Sequence, residues 1–235
     1  MRVWFLDGAD FVIEAVPEKL ELKHEVFPQL EEHVADDAIL ASNTSGIPIT
    51  RIAEATKRPE RVVGMHWSNP PHLIPMIEVI PGERTAQETV DAASELVRRV
   101  GYHPVVEREV PGFVENRILY AILRECLDLV DRGIIDPEGL DLNVRWGIGY
   151  KLAVIGPMEL LDMAGLDIYD AVGSYLNRDL STSGEVSKTI RDLIAKGRLG
   201  MKTGGGIYDY TPEQIDELRA QRAAKLVAVR KALEA

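Results

Sequence analysis

The sequence predicts an α/β fold in which a partial parallel sheet fills the first half of the chain and an all-α segment the second. Two observations carry this. Short apolar runs alternate with helical patterns as far as residue 109, and beyond Pro111 only the helical spacing recurs. Residues 10–16 read as a largely buried strand, and Pro17 opens an amphipathic stretch that reaches residue 34. A second strand at 38–42 and a helix at 49–55 follow, then strands at 61–66 and 76–80, a helical pattern over 86–100 and one more strand at 103–106. Past Pro111 the apolar positions 113, 114, 118, 122, 126, 129 and 130 keep helical spacing and stop at Gly133. Further helical patterns fall at 137–147, 156–178, 185–197 and 211–234. Pro111 and Gly112 interrupt the strand pattern, which predicts two domains, 1–109 and 110–235.

Residues 1–6 are apolar but have no partner strand nearby in sequence. A doubly wound sheet opens with a strand, a glycine-rich turn and a helix whose N-terminus holds a pyrophosphate. This chain reads as though it begins halfway through such a sheet. The glycines at 147 and 149 and at 204–206 read as turn formers.

With 235 residues the chain is long enough to bury a core in each domain, and 46% apolar with 28% charged residues is an ordinary globular composition. A net charge of -11 argues against nucleic-acid or anionic-membrane partners, which need a concentrated cationic face. Cys126 has no second cysteine to pair with and reads as a buried structural thiol. No apolar run approaches the roughly 20 residues of a membrane span, and no secretory signal is recognisable. The expectation is a cytoplasmic protein.

Among the five histidines, His66 stands out because it closes the apolar strand run Val62-Val63-Gly64-Met65, and ligands of open α/β sheets collect beyond the carboxyl ends of strands. Glu78 interrupts a strand otherwise apolar enough to be buried on both faces, so its charge needs a partner. His66 is a natural partner, since a carboxylate fixes the tautomer of an imidazole, and Arg61 and Arg117 are the alternatives; the family resemblance given below favours His66. Asn116, in the first turns of the long helix, and Ser45, in a turn-rich segment, read as caps or turn formers that can also offer a neutral donor to a substrate oxygen.

The ordered motifs Asp10-Phe11-Val12-Ile13-Glu14-Ala15-Val16-Pro17-Glu18, Ser42-Asn43-Thr44-Ser45, Gly64-Met65-His66-Trp67-Ser68-Asn69-Pro70, Met76-Ile77-Glu78-Val79, Pro111-Gly112-Phe113-Val114-Glu115-Asn116-Arg117 and Gly200-Met201-Lys202-Thr203-Gly204-Gly205-Gly206 run through nearly the whole chain. Together they resemble the NAD-dependent 3-hydroxyacyl-CoA dehydrogenase family. The resemblance implies a Rossmann-like domain followed by a helical, homodimer-forming domain, with NAD as cofactor and no metal. It implies His66 as general base, Glu78 as its orienting carboxylate, and Ser45 and Asn116 as substrate donors. Glu18, Lys23, Ser45, Asn69 and Lys202 fall where the family contacts NAD or closes around it.

Two departures qualify that resemblance. The family's opening strand and glycine-rich turn, the first mononucleotide half, have no counterpart here, so a truncated chain with weak NAD binding is expected. His66-Trp67-Ser68-Asn69-Pro70 also differs from the usual His-Phe-Phe-Asn-Pro and, with Trp146-Gly147-Ile148-Gly149, is similar to a branch acting on a pyridine aldehyde of vitamin B6 breakdown. Substrates of two kinds are therefore expected, an acyl-CoA of fatty acid metabolism or a pyridine carboxylate. In the second case Arg117, Arg145 or Lys151 is placed to meet the carboxylate and Trp67 or Trp146 to stack on the ring. An inactive dimerisation module and a sugar-acid or carnitine dehydrogenase are the remaining alternatives.

Overall fold

The computed structural model describes Leu6 and residues 8–234, and residues 1–5 of the apolar stretch read as lacking a nearby partner strand lie outside them. Backbone contacts divide the chain into two compact units, Met1–Ile118 and Leu119–Ala235. The first holds strands β1 (Phe11–Glu14), β2 (Ile39–Ser42), β3 (Val62–Trp67), β4 (Met76–Pro81) and β5 (His103–Val106), hydrogen-bonded in the order β1-β2-β3-β4-β5. Helices α1 (Leu20–Glu31), α2 (Ile49–Ala53) and α3 (Gln87–Arg99) connect them.

The sheet is parallel at β1–β2, β2–β3 and β4–β5 but antiparallel at β3–β4, one step that the expectation of a parallel sheet did not contain. Residues 68–75 explain it. A parallel return needs a crossover of a dozen or more residues, and this connection is too short to be one.

Alternation along the strands sends apolar side chains to both faces. Leu40, Val62 and Ile80 pack with Val26, Phe27 and Leu30 of α1 and with Ile49 and Ile52 of α2. Ile39, Ala41, Val63, Met65, Ile77 and Val79 pack on the other face against Val90, Ala93 and Val97 of α3. A side chain at position 64 would not fit the first face: a Cβ there would lie 2.7 Å from Ile49 Cδ1. Glycine at that position lets the helix lie directly on the strand.

Helix α4 (Phe113–Asp131) follows a sharp turn in which Gly112 (φ 81°) and Phe113 (φ 52°) are both left-handed. A bulky residue at positive φ is unusual and costs on the order of 1–3 kcal/mol. The fully buried Phe113 ring packs in the α1/α2 core, and that burial offsets the cost.

The second unit is helical: α5 (Pro137–Asn143), a π-turn over Val144–Gly149 leading into α6 (Tyr150–Leu152), α7 (Pro157–Ala164), α8 (Leu166–Asp179), α9 (Lys188–Ala195) and α10 (Pro212–Leu233). Three details correct the sequence reading. Gly147 and Gly149 lie inside the π-turn instead of forming a loop. The helical pattern over 156–178 is two helices, because Gly165 adopts φ 99° and ends the first. Cys126 is half-buried, not buried, although burial still pushes its thiol pKa up. No helix among the described residues is long and apolar enough to cross a membrane.

Candidate active site

Period-two alternation puts Val62, Gly64 and His66 on one face of β3, and Glu78 and Ile80 on the same face of β4. The antiparallel register then sets His66 directly opposite Glu78. Opposed residues in such a pair hold their Cβ atoms about 5 Å apart. His66 Nδ1 consequently lies 2.6 Å from Glu78 Oε2, with His66 7% and Glu78 1% exposed. Glu78 meets the histidine and not Arg61 or Arg117; Arg117 instead donates to the Pro111 carbonyl.

The start of α4 completes the cluster. The first amides of a helix have no intrahelical acceptor and carry the positive end of its dipole. Here the Glu115 N–H donates to Glu78 Oε1 at 2.7 Å and the Val114 N–H to Glu107 Oε1 at 2.9 Å. The left-handed turn at Gly112 and Phe113 aims those amides, and the Phe113 ring lies 5.6 Å from the His66 ring. Burial pushes the Glu78 carboxyl up, but the hydrogen bonds from His66 and the Glu115 amide outweigh it and hold the group below its usual range. Glu78 is therefore a carboxylate, which requires a proton on His66 Nδ1 and leaves Nε2 of the neutral ring with a free lone pair. Ligand atoms of His66, Glu78 and Glu115 lie within 4.8 Å of one another, but the first two already bind each other. The arrangement is that of an acid–base pair.

At the carboxyl ends of β1 and β2 the Glu18 carboxylate accepts the Thr44 hydroxyl at 2.6 Å and the Ser45 N–H at 3.0 Å. Asn116 Nδ2 donates to the Ser45 carbonyl at 3.2 Å. Glu18, Ser45 and Asn116 thus meet, with the Ser45 side chain exposed. Lys23 is fully buried; its ammonium donates to both Glu14 oxygens, at 2.9 and 2.8 Å, and to Ser42 Oγ at 3.3 Å. Glu18 Oε2 lies 3.7 Å from the same ammonium. Asn69 is exposed on the loop after β3. Lys202 belongs to the second unit, in the turn Met201–Thr203. Trp67 packs edge-on against Tyr102.

Four residues of the cluster escaped the sequence reading: Glu107, Phe113, Ser68 and Glu115, the last accepting the Ser68 hydroxyl through Oε1. The only signal for Phe113 and Glu115 was the Pro-Gly pair at 111–112, whose turn delivers α4 to the strands.

Known proteins resemble this chain over most of its length. Residues 4–110 match the family profile of the 3-hydroxyacyl-CoA dehydrogenase NAD binding domain, and residues 112–210 that of its C-terminal domain. The chain is 57% identical over 230 residues to 5-formyl-3-hydroxy-2-methylpyridine 4-carboxylate 5-dehydrogenase of Mesorhizobium japonicum, covering 97% of this chain and 74% of that protein. A crystal structure of such a 5-dehydrogenase, an NAD+-dependent dismutase, superposes with a TM-score of 0.94 at 57% identity, over 97% of this chain and 74% of the other. A probable 3-hydroxybutyryl-CoA dehydrogenase of Deinococcus radiodurans is 38% identical over 86% of this chain and 72% of its own length.

Proposed function

Since the chain belongs to the NAD-dependent 3-hydroxyacyl-CoA dehydrogenase family, we propose that it oxidises or reduces a small pyridine carboxylate, with His66 as the base that takes the substrate's proton. The observation that carries the chemistry is the 2.6 Å contact between His66 Nδ1 and Glu78 Oε2, which reserves Nε2 for substrate. Glu78 holds the ring in place and stabilises the imidazolium formed when the proton arrives. Ser45 and Asn116, already linked, orient the substrate oxygen without adding charge.

The residues at the carboxyl ends of β1 and β2 suit the nicotinamide riboside end of NAD: a carboxylate fixed by two donors at Glu18 offers acceptors for sugar hydroxyls, beside the exposed Ser45 and Asn69. Bound there, NAD supplies the hydride acceptor and donor. Lys23 supports the site from beneath by neutralising Glu14 and steadying Glu18.

The pyridine substrate is favoured over an acyl-CoA by the contrast between 57% and 38% identity to relatives with those two substrates in their names. Side-by-side assays with NAD(H) on the pyridine aldehyde and on acetoacetyl-CoA test it. Turnover of the aldehyde supports the reading, and turnover of the CoA ester alone overturns it. The helical unit, whose apolar side chains are largely exposed, fits a homodimer, which sedimentation equilibrium tests.

A further inference from the structure

The base and its carboxylate do not exhaust the titratable groups of this cluster. Glu78 pairs with Val105 in the parallel β4–β5 ladder, and Glu107, two residues beyond Val105, returns to the same face. Its amide donates to the Val79 carbonyl at 3.2 Å, which holds it to the ladder. Oε1 of Glu107 is satisfied by the Val114 amide. Oε2 is buried with no hydrogen-bond partner, and because the successive amides of Val114 and Glu115 donate to Glu107 and Glu78, the two carboxyls stand side by side at the start of α4. Two carboxylates offer only acceptors to each other, so this contact becomes a bond only if one of them holds a proton.

The available donors decide which one. Glu78 already accepts from His66 and from the Glu115 amide, which favour its charged form, whereas Glu107 has a single amide. We infer that Glu107 is a positioning residue of the site, keeping a proton between its own carboxyl and that of Glu78 and so locking the carboxylate that orients His66. This deepens the dehydrogenase reading, on which the role of His66 as base rests.

The surrounding charges agree. Glu78 comes from β4, His66 from β3 and Glu115 from α4, while on its own segment Glu109 is bonded to Thr50 and Arg108 is exposed. Burial and the facing Glu78 charge push the Glu107 carboxyl up to about 7 against the pull of the Val114 amide. Below that pH a proton joins the two acids. Above it they repel and the hold on His66 loosens.

Infrared titration of the full chain tests the pair without turnover. A protonated-carboxyl band is expected to persist above pH 6, where ordinary carboxyls are ionised, and to vanish with a midpoint of about 7. It should be missing in Glu107→Gln, and in Glu78→Gln its midpoint should fall because the facing charge is gone. Kinetics supply the positioning readout. An amide donates to Glu78 at every pH, so the ratio of Glu107→Gln to wild-type kcat should rise as pH passes 7. At pH 6 Glu107→Leu should be slower than Glu107→Gln by about tenfold, roughly the worth of one hydrogen bond to a charged group. A band that survives in Glu107→Gln, no band in the wild type, or a kcat ratio independent of pH would each overturn the inference. An intact band in a chain that turns nothing over would refute the dehydrogenase reading and leave the proton-sharing pair standing.

Discussion

The two units use equally clear apolar periodicity to different ends. In the sheet unit, the fully buried side chains Phe27, Ile49, Val62, Val63, Ile77 and Val79 find their partners within the same unit, on one face of the sheet or the other. In the helical unit, Met158, Met163 and Tyr175 are each at least 64% exposed, although they stand within the helical pattern over 156–178. Among the described residues, the buried hydrophobic ones all lie at or before Phe113. A periodic stripe specifies which face of an element seeks burial, and leaves open whether the same chain supplies the cover.

That contrast can be broken or sharpened by substitution. The largest effect is expected at the base: His66→Gln should lower kcat by about 10²- to 10⁴-fold, the usual worth of a positioned general base, with the fold intact by circular dichroism. Next comes core truncation. Phe27→Ala should destabilise the sheet unit by about 3–5 kcal/mol in urea denaturation, whereas Met163→Ala, 76% exposed in this chain, should cost within about 0.5 kcal/mol in dilute solution. A comparable loss at Met163 under dilute conditions would show that the helical stripe is covered after all. If a second copy covers it, the melting temperature of the helical unit should rise with protein concentration, by roughly 2–4 °C per kcal/mol of added stability. A concentration-independent melt would count against that cover.

The smallest effects concern pH. The Glu78 carboxyl lies below its unfolded value, so its stabilisation is fully present above the ordinary carboxylate range and is lost as pH falls through the lowered value. Glu107 has the opposite sign. Its raised carboxyl contributes stability that is complete below the unfolded value of about 4.5 and is lost as pH rises to about 7. Glu107→Gln should flatten the second slope and leave the first, as measured by chemical denaturation across pH 3 to 8.

Much of this was legible in the chain. The strand and helix order followed from period alone, and Glu78 declared itself because a lone charge in a buried strand must have a partner. His66 stood out at a strand end, but its pairing with Glu78 was favoured only once the neighbouring motifs and the family resemblance were counted. The antiparallel step was less visible, since only the length of the 68–75 connection encodes it. Glu107 was hidden for a physical reason: in the charged run Glu107-Arg108-Glu109 it looks like a solvated strand end, and only the β4–β5 register turns it toward Glu78. Glu115 was hidden in the same way, as one charge among polar residues at a helix start. Ser45 and Asn116 gained a role only through the family resemblance.

The opposition of His66 and Glu78 is held by main-chain hydrogen bonds of the β3–β4 ladder, and the segment that joins the strands has only to stay too short for a parallel crossover. Within that limit residues 70–75, beyond Ser68 and Asn69, are released from any duty to hold the pair together. Replacement of residues 70–75 at constant length would change the surroundings of the pair while His66 and Glu78 stay opposed, which makes that stretch the natural target for a combinatorial library.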